Sequence, residues 1–138
     1  MTVTKKSFKL RNNLSELTRL CRSLKEFCES NGLSGKDVLE INLCIEEHFT
    51  NIISHGYSDR AAHWIEISFC VEDNKFFVTI EDDGGPFNPA DVPAPDLKCA
   101  LEERKIGGLG VYLTKHFMDD VEYQRCDDRN VLTMIKNL

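Results

Sequence analysis

Two alternating segments separated by a short polar turn most constrain what this chain can fold into. In residues 64–71 and again in 75–82, apolar residues occupy every second position, as expected for strands with one buried face. The Asp73-Asn74 pair between them has the short polar side chains that favour a tight reversal. The two segments therefore predict an antiparallel β-hairpin, so the rest of the chain must pack around a sheet.

Helical periodicity precedes this hairpin. Apolar residues recur every three or four positions within residues 14–31, and a similar pattern runs from Ser34 to about His55. The capping signals are Asn13 and Gly32 for the first helix, and Ser34 and Gly56 for the second. Two amphipathic helices beside an antiparallel hairpin indicate an α+β fold.

The remaining segments complete a two-layer sandwich. An opening strand is predicted at residues 3–10, a third helix at 109–118, and two closing strands at 121–126 and 130–136. We therefore expect residues 1–138 to form one domain, in which helices cover one face of a mostly antiparallel sheet.

Composition narrows the classes of function. The chain has 17 basic and 23 acidic residues, and its net charge of −6 argues against a dedicated nucleic-acid-binding protein. No run approaches the roughly 20 apolar residues that span a bilayer, and no apolar block follows the N-terminal lysines as in a secretory signal. The six cysteines form no CxxC pair, so we expect reduced thiols in a cytoplasmic protein.

Glu47 and Asn51 form the first of three candidate motifs. They lie four residues apart in the second predicted helix, so both side chains occupy one helical face. A carboxylate and a carboxamide offer oxygen atoms to a hard cation such as magnesium, or to a water molecule. An ordinary solvated helix face can carry the same pair, so the motif alone leaves both interpretations open.

The second motif begins with Asp82 at the end of a predicted strand and continues through Asp83, Gly84 and Gly85. A carboxylate in this position can accept a hydrogen bond from an exocyclic amine such as that of adenine. The glycines allow the backbone to approach a ligand closely. A simple β-turn is the alternative, because Asp-Gly pairs are common in turns.

The third motif, Gly107-Gly108-Leu109-Gly110, opens the third predicted helix. Backbone N–H groups at a glycine-rich helix start can bind phosphates, even in a protein of net negative charge. The irregular stretch within residues 83–110 is rich in glycine and proline, and such long stretches are usually functional. A flexible hinge would have the same composition.

In this order and spacing, the three motifs resemble the GHKL ATP-binding (Bergerat) fold of histidine kinases and gyrase. More narrowly, they resemble the anti-sigma-factor serine/threonine kinases, from about residue 8 to the C-terminus. The matching segments are Glu47 to Asn51 with His55-Gly56-Tyr57, Asp82 to Pro89, and Gly107 to Gly110 followed by Phe117 to Val121.

The resemblance implies a nucleotide site for ATP and Mg²⁺. The residues that it assigns to this site are Asn51, Asp82, Gly84, Gly108, Leu109, Gly110 and Thr133. Asn51 would coordinate magnesium, Asp82 would bind the adenine amine, and Thr133 would lie near the adenine together with Asp82. Gly84 would let the base approach, the second glycine segment would hold the phosphates, and residues 88–106 would form a lid over ATP.

The resemblance also implies an activity and partners. Glu47 would be the general base of a serine/threonine kinase that phosphorylates a small antagonist protein of the anti-anti-sigma type. Sequestration of a sigma factor and formation of a homodimer are implied in the same way. Neither the identity of the antagonist nor the relayed signal follows from the sequence.

Two departures from the family pattern leave alternatives open. Ile106 occupies a position where these kinases often have an arginine that reaches the terminal phosphate, although Arg104 or Lys105 could substitute for it. An ATP-dependent binding switch without kinase activity is therefore the main alternative. A detached histidine-kinase catalytic domain is disfavoured, because no helix with a phosphoacceptor histidine precedes the first motif. His48 is bulkier than the small residue expected there, and we place it on the flank of the helix.

Overall fold

A computed structural model describes residues 3–87 and 108–138 of the chain, with only the backbone described for 108–110. Its strands are β1 (Thr4–Arg11), β2 (Trp64–Glu72), β3 (Lys75–Asp82), β4 (Asp120–Cys126) and β5 (Arg129–Asn137). Its α-helices are α1 (Leu17–Ser30), α2 (Gly35–His55) and α3 (Gly108–Phe117). The strands form one antiparallel sheet in the order β1-β2-β3-β5-β4. This arrangement confirms the predicted α+β class.

Two tight turns set the register of the sheet. Asp73 and Asn74 both have positive φ angles, of 53° and 58°, and join β2 to β3 as predicted. Asp127 and Asp128 have φ angles of 50° and 62° and join β4 to β5 in the same way. Backbone angles of this sign at both central residues match the twist of a two-residue hairpin. The β3–β5 pairing then places Asp82 directly opposite Asn130.

The hydrophobic core lies between the helices and one face of the sheet. Alternate residues of β2, β3 and β5 are buried against α1 and α2, which is the layer packing expected from the sequence. The largest fully buried side chains are Phe49, Phe69, Phe76, Leu10, Leu20, Leu24, Ile41, Ile45, Ile65, Ile67, Ile80 and Met134. Within the described ranges, no helix is long and apolar enough to cross a bilayer.

The start of the first helix differs from the prediction. Leu14–Glu16 form a 3-10 turn, and the α-helix itself begins at Leu17. Asn13 accepts a hydrogen bond from the Ser15 N–H at 2.9 Å, and Glu16 accepts one from the Arg11 N–H at 3.0 Å. These two bonds tighten the first turn. Ser34 caps α2 as predicted, by accepting the Asp37 N–H at 3.1 Å.

Candidate functional site

The end of α2 touches the loop that follows β3. The Gly85 N–H donates a hydrogen bond to the carbonyl of Gly56 at 2.8 Å. A Cβ atom on Gly84 would lie 2.5 Å from that carbonyl oxygen and 2.9 Å from Asp82 Oδ1, so a larger residue would push the two segments apart. Gly84 therefore has a packing role in joining the first and second motifs, whether or not a base also approaches it.

Asn51 lies on α2 with its side chain almost completely enclosed. It is 8% exposed, and neither its Nδ2 nor its Oδ1 atom has a hydrogen-bond partner among the described residues. An unpaired buried amide destabilises a fold by about 1–3 kcal/mol, so native proteins seldom keep one without a reason. A ligand that bonds to the carboxamide would supply such a reason. The predicted metal ligand is thus a buried polar group that the described part of the chain leaves without a partner.

Glu47 lies one helical turn before Asn51 on the same helix. Its side chain is half-buried, and the described residues form no ion pair with it. The carboxylate is therefore available to a substrate or a water molecule. The structure keeps these two predicted residues on neighbouring turns of one helix.

Asp82 is 4% exposed at the end of β3. Its Oδ1 atom accepts the Gly84 N–H at 2.8 Å and the Asn130 Nδ2–H at 3.1 Å. Burial raises the pKa of this carboxyl above its ordinary value, and the two hydrogen bonds oppose the rise. Among the described residues no donor reaches Oδ2, which leaves that oxygen available to an incoming amine.

Residues of β4 and β5 that sequence reasoning missed hold the loop after Asp82. Arg125 Nη1 donates to the Gly84 carbonyl at 2.7 Å, and Asn130 Nδ2 donates to the Gly85 carbonyl at 2.8 Å. The Tyr123 hydroxyl accepts the Phe87 N–H at 3.3 Å. Strand alternation could have found Asn130, because its position puts this polar side chain on the buried face of β5 that also carries Leu132, Met134 and Lys136.

A second cluster closes the loop between α2 and β2. The Tyr57 and His63 rings stack with centroids 4.1 Å apart. His63 contacts Asp59 through Nε2 at 2.7 Å and Asp83 through Nδ1 at 3.1 Å. These two carboxylates, Asp59 first, raise the pKa of His63, because both ring nitrogens donate only when the imidazole is protonated. The Tyr57 hydroxyl is buried without a partner among the described residues.

The third motif coincides with the start of α3. The helix begins at Gly108, so its first backbone N–H groups come from Gly108, Leu109 and Gly110 as predicted. The predicted lid at 88–106, together with Gly107, Ile106, Lys105 and Arg104, lies outside the described residues. Helix α3 packs on α2, which carries the first motif. Because α3 begins in this glycine segment, the positive end of its helix dipole lies there and can attract an anion.

His48 corrects one expectation. The side chain is 3% exposed rather than on the helix flank, and its Nε2 lies 2.7 Å from Thr114 Oγ1 on α3. Burial lowers the pKa of His48 to about 4, so the ring is neutral near pH 7. Its position, three residues after Ile45 and four after Cys44, continues the buried stripe of α2, which is the sequence signal that was missed. The residue joins the helices that carry the first and third motifs.

Thr133 corrects another expectation. It is paired with Thr79, and the two hydroxyl oxygens are 3.4 Å apart. Side chains alternate along a strand, so Thr133 points to the sheet face opposite Asp82, whereas Asn130 shares the Asp82 face. Thr133 is therefore not placed to contact the same base as Asp82.

The arrangement fits a metal–nucleotide complex better than a metal bound by protein alone. Among the described residues, no group of three or more His, Cys, Asp or Glu side chains could hold a metal ion. Magnesium commonly uses only one or two protein ligands together with waters and substrate phosphates. A single amide oxygen from Asn51 is compatible with that pattern.

Comparison with known proteins agrees with this geometry. A family model described as the histidine kinase-like ATPase domain matches residues 10–136. The serine/threonine-protein kinase BtrW of Bordetella bronchiseptica is 31% identical over 94 residues, which cover 68% of this chain and 66% of that protein. The anti-sigma F factor of Bacillus subtilis is 31% identical over 85 residues, covering 62% of this chain and 58% of that protein. The chain thus spans less than two thirds of the length of these curated relatives.

Solved structures support the same fold. The RsbU and RsbW domains of a Mycobacterium tuberculosis protein superpose with a TM-score of 0.72 at 14% identity, covering 98% of this chain and 32% of that one. A blue-light-activated histidine kinase of Erythrobacter litoralis gives a TM-score of 0.56 at 19% identity, covering 90% of this chain and 41% of that one. At such identities the likeness concerns the fold alone.

Proposed function

Because this chain belongs to the histidine kinase-like ATPase domain family, we propose that it is a magnesium-dependent protein kinase. It transfers the terminal phosphate of ATP to a serine or threonine of a small antagonist protein. Asn51 carries this proposal, since its buried carboxamide has no partner among the described residues and lies one turn after a carboxylate. A packed fold keeps such a group when a ligand completes its hydrogen bonds.

The adenine, the phosphates and the magnesium ion of the ATP complex each contact a different helix or strand in this proposal. Asp82 Oδ2 accepts a hydrogen bond from the exocyclic amine of adenine, and the N–H groups at the start of α3 bind the phosphates. The Asn51 oxygen is the protein ligand of the magnesium ion. Magnesium, when bound, neutralises the negative charge that the phosphates bring to a protein of net charge −6.

Glu47 is the general base of the proposed transfer. The substrate hydroxyl oxygen forms a bond to the γ-phosphorus while the bond from that phosphorus to the bridging oxygen breaks. ADP leaves with the electron pair of the broken bond, and Glu47 accepts the hydroxyl proton. A half-buried carboxylate without an ion pair among the described residues is suited to this task.

Names of relatives support the choice of partners. Proteins named anti-sigma F factor and serine-protein kinase RsbW match this chain at 27–31% identity. We therefore propose an antagonist of the anti-anti-sigma type as the phosphate acceptor and a sigma factor as a second partner, with the kinase acting as a homodimer. We propose that this activity is cytoplasmic, since ATP and the proposed partners are cytoplasmic molecules.

Calorimetry and a transfer assay test the proposal in sequence. ATP should bind to the wild type with magnesium and much more weakly without it, and Asp82→Ala and Asn51→Ala should lose this binding. With radiolabelled ATP and the antagonist encoded nearby, Glu47→Gln should bind ATP normally yet transfer no phosphate. Unchanged transfer by Glu47→Gln would exclude this residue as the base. Absence of ATP binding by the wild type would refute the whole proposal.

Ile106 favours one alternative, an ATP-dependent switch whose affinity for a partner protein changes with bound nucleotide and which does not phosphorylate that partner. The same assays separate the two functions. A switch would bind magnesium–ATP and form a nucleotide-dependent complex, but the wild type would transfer no phosphate under any metal condition.

A further inference from the structure

Asn130 lies at the centre of a polar network beside Asp82. The residue is 6% exposed, and its side-chain amide uses its full hydrogen-bonding capacity. Nδ2 donates to Asp82 Oδ1 at 3.1 Å and to the Gly85 carbonyl at 2.8 Å. Oδ1 accepts from the Tyr123 hydroxyl at 2.5 Å and from Arg125 Nη1 at 3.1 Å. Nδ2 faces two acceptors and Oδ1 faces two donors, so the amide group can have only this one orientation.

This network determines which oxygen of Asp82 remains available. Asn130 Nδ2 and the Gly84 N–H both bond to Oδ1, so the rotation of the carboxylate is fixed by two donors from different segments. Oδ2 has no donor among the described residues. A carboxylate held by only one donor could rotate out of this plane, and its unbonded oxygen would then no longer keep one fixed position.

The same network also positions the loop that follows Asp82. Asn130 holds the Gly85 carbonyl, and Arg125 holds the Gly84 carbonyl at 2.7 Å. Tyr123 connects the amide of Asn130 to the backbone N–H of Phe87. The carboxylate and the adjacent backbone are therefore fixed by one shared group, on the sheet face that also carries Asp82.

We propose that Asn130 is the positioning residue that sets adenine specificity, by holding Asp82 with Oδ2 available to the exocyclic amine of the base. This inference rests on the proposed ATP site. Adenine has an amine at the position where hypoxanthine has a carbonyl oxygen, so a fixed acceptor favours ATP and repels inosine triphosphate. If the Asp82 carboxylate loses its fixed orientation, the preference for ATP over inosine triphosphate should become weaker.

The first experiment compares ATP and inosine triphosphate binding, each with magnesium, by calorimetry on the wild type, Asn130→Ala and Thr133→Val. Thr133 is a matched control, because it lies on the same strand but faces the other side of the sheet. Asn130→Ala should lower ATP affinity roughly 10- to 100-fold, as expected for loss of a hydrogen bond to a buried charge. Inosine triphosphate affinity should change much less, so the ratio of the two affinities falls. Thr133→Val should keep the wild-type ratio.

Asn130→Asp provides a second readout that does not depend on the alanine variant folding. Its carboxylate would place one oxygen near Arg125 and the other opposite Asp82 Oδ1 and the Gly85 carbonyl, which are both acceptors. Two facing carboxylates need a shared proton, so ATP binding by this variant should be weak near pH 8 and recover toward about pH 5.5. Tyr123 and the nearby charges of Asp83 and Arg129 are present in both proteins, so the wild type controls for them.

The outcomes separate the two proposals. A wild type without magnesium-dependent ATP binding would overturn both. A wild type that prefers ATP, with the same preference in Asn130→Ala, would overturn the role of Asn130 and leave the ATP site standing. An Asn130→Asp variant that binds ATP equally at both pH values would also overturn it.

Discussion

Asn51 is the residue at which the stability of the free protein and the proposed binding of magnesium conflict most directly. Its carboxamide is buried with no hydrogen-bond partner among the described residues, whereas a leucine, which branches at the same carbon, would need none. Replacing a buried polar group by an apolar one is often neutral or stabilising. The free protein therefore carries a polar atom that weakens its fold.

Asn51→Leu should raise the free energy of unfolding by about 1–2 kcal/mol in the absence of nucleotide. The same variant should lose magnesium–ATP binding. Urea unfolding and calorimetry measure the two effects. Asn31→Leu is the control, because Asn31 Nδ2 donates to the Phe27 carbonyl at 2.8 Å and its loss should destabilise the protein. A destabilised Asn51→Leu protein would mean that the amide is bonded in solution.

At Asp82, the charge that the proposed adenine contact needs also lowers the stability of the folded protein. Burial raises its pKa in the folded protein, so the folded state keeps the proton to a higher pH than the unfolded chain does. Stability contributed by this residue therefore falls as the pH rises from the ordinary aspartate value through the raised one. Above that interval, the charged carboxylate destabilises the fold, and this charged form is the one that the proposed contact with the adenine amine uses.

Asp82→Asn should accordingly raise the free energy of unfolding at pH 7.5, because the carboxamide oxygen can keep both hydrogen bonds from Gly84 and Asn130. ATP affinity should fall at least roughly tenfold, since a donor replaces the acceptor of the adenine amine. Denaturant unfolding and calorimetry test both halves. Asp83→Asn should instead destabilise the protein, because Asp83 pairs with His63. A free energy of unfolding lower for Asp82→Asn than for the wild type would contradict the conclusion that the buried charge of Asp82 destabilises the fold.

At the scale of elements, His48 joins α2 to α3 inside the protein. The 2.7 Å contact with Thr114 connects the helix that carries the proposed metal ligand to the helix whose N-terminus is proposed to bind the phosphates. Burial lowers the pKa of His48 to about 4, so the folded state resists protonation while the unfolded chain accepts a proton near pH 6.5. Stability from this residue is present above the unfolded value and is lost as the pH falls toward the folded one.

His48→Gln should therefore remove part of the acid sensitivity of the protein. Between about pH 6.5 and pH 4, the wild type should lose roughly 3 kcal/mol more unfolding free energy than the variant does. Urea unfolding at half-unit pH steps gives both curves. His116→Gln, on the exposed side of α3, serves as the control and should follow the wild type. Parallel curves for His48→Gln and the wild type would show that His48 is exposed to protonation in the native state.

For the whole molecule, local patterns were enough to predict the layers but not the pairs of residues that meet across them. Alternation at 64–71 and 75–82 predicted β2 and β3, because each strand buries one face of its own sequence. The partners of Asp82 come from β5, and those of His48 from α3, so they depend on long-range packing. Thr133 was misplaced because a one-residue shift along a strand changes the face of the sheet.

The last prediction concerns how nucleotide binding changes the stability of the whole fold. The proposed site draws on α2, β3, β5 and α3, so bound ATP would connect elements that are far apart in the sequence. A ligand that binds only the folded state stabilises it by about 2.7 kcal/mol at 100 times its Kd. For a domain of 138 residues, this corresponds to a rise in Tm of roughly 10 °C.

Thermal unfolding followed by circular dichroism should show this rise with magnesium and ATP together, and a much smaller one when EDTA removes the metal. Asp82→Asn and Asn51→Leu should melt at or above the wild-type temperature without nucleotide and gain little from it. Thr133→Val should gain as much as the wild type, because its side chain faces away from the site. An equal gain with and without metal would remove Asn51 from the role of magnesium ligand. An equal gain in Asp82→Asn would show that the base binds elsewhere.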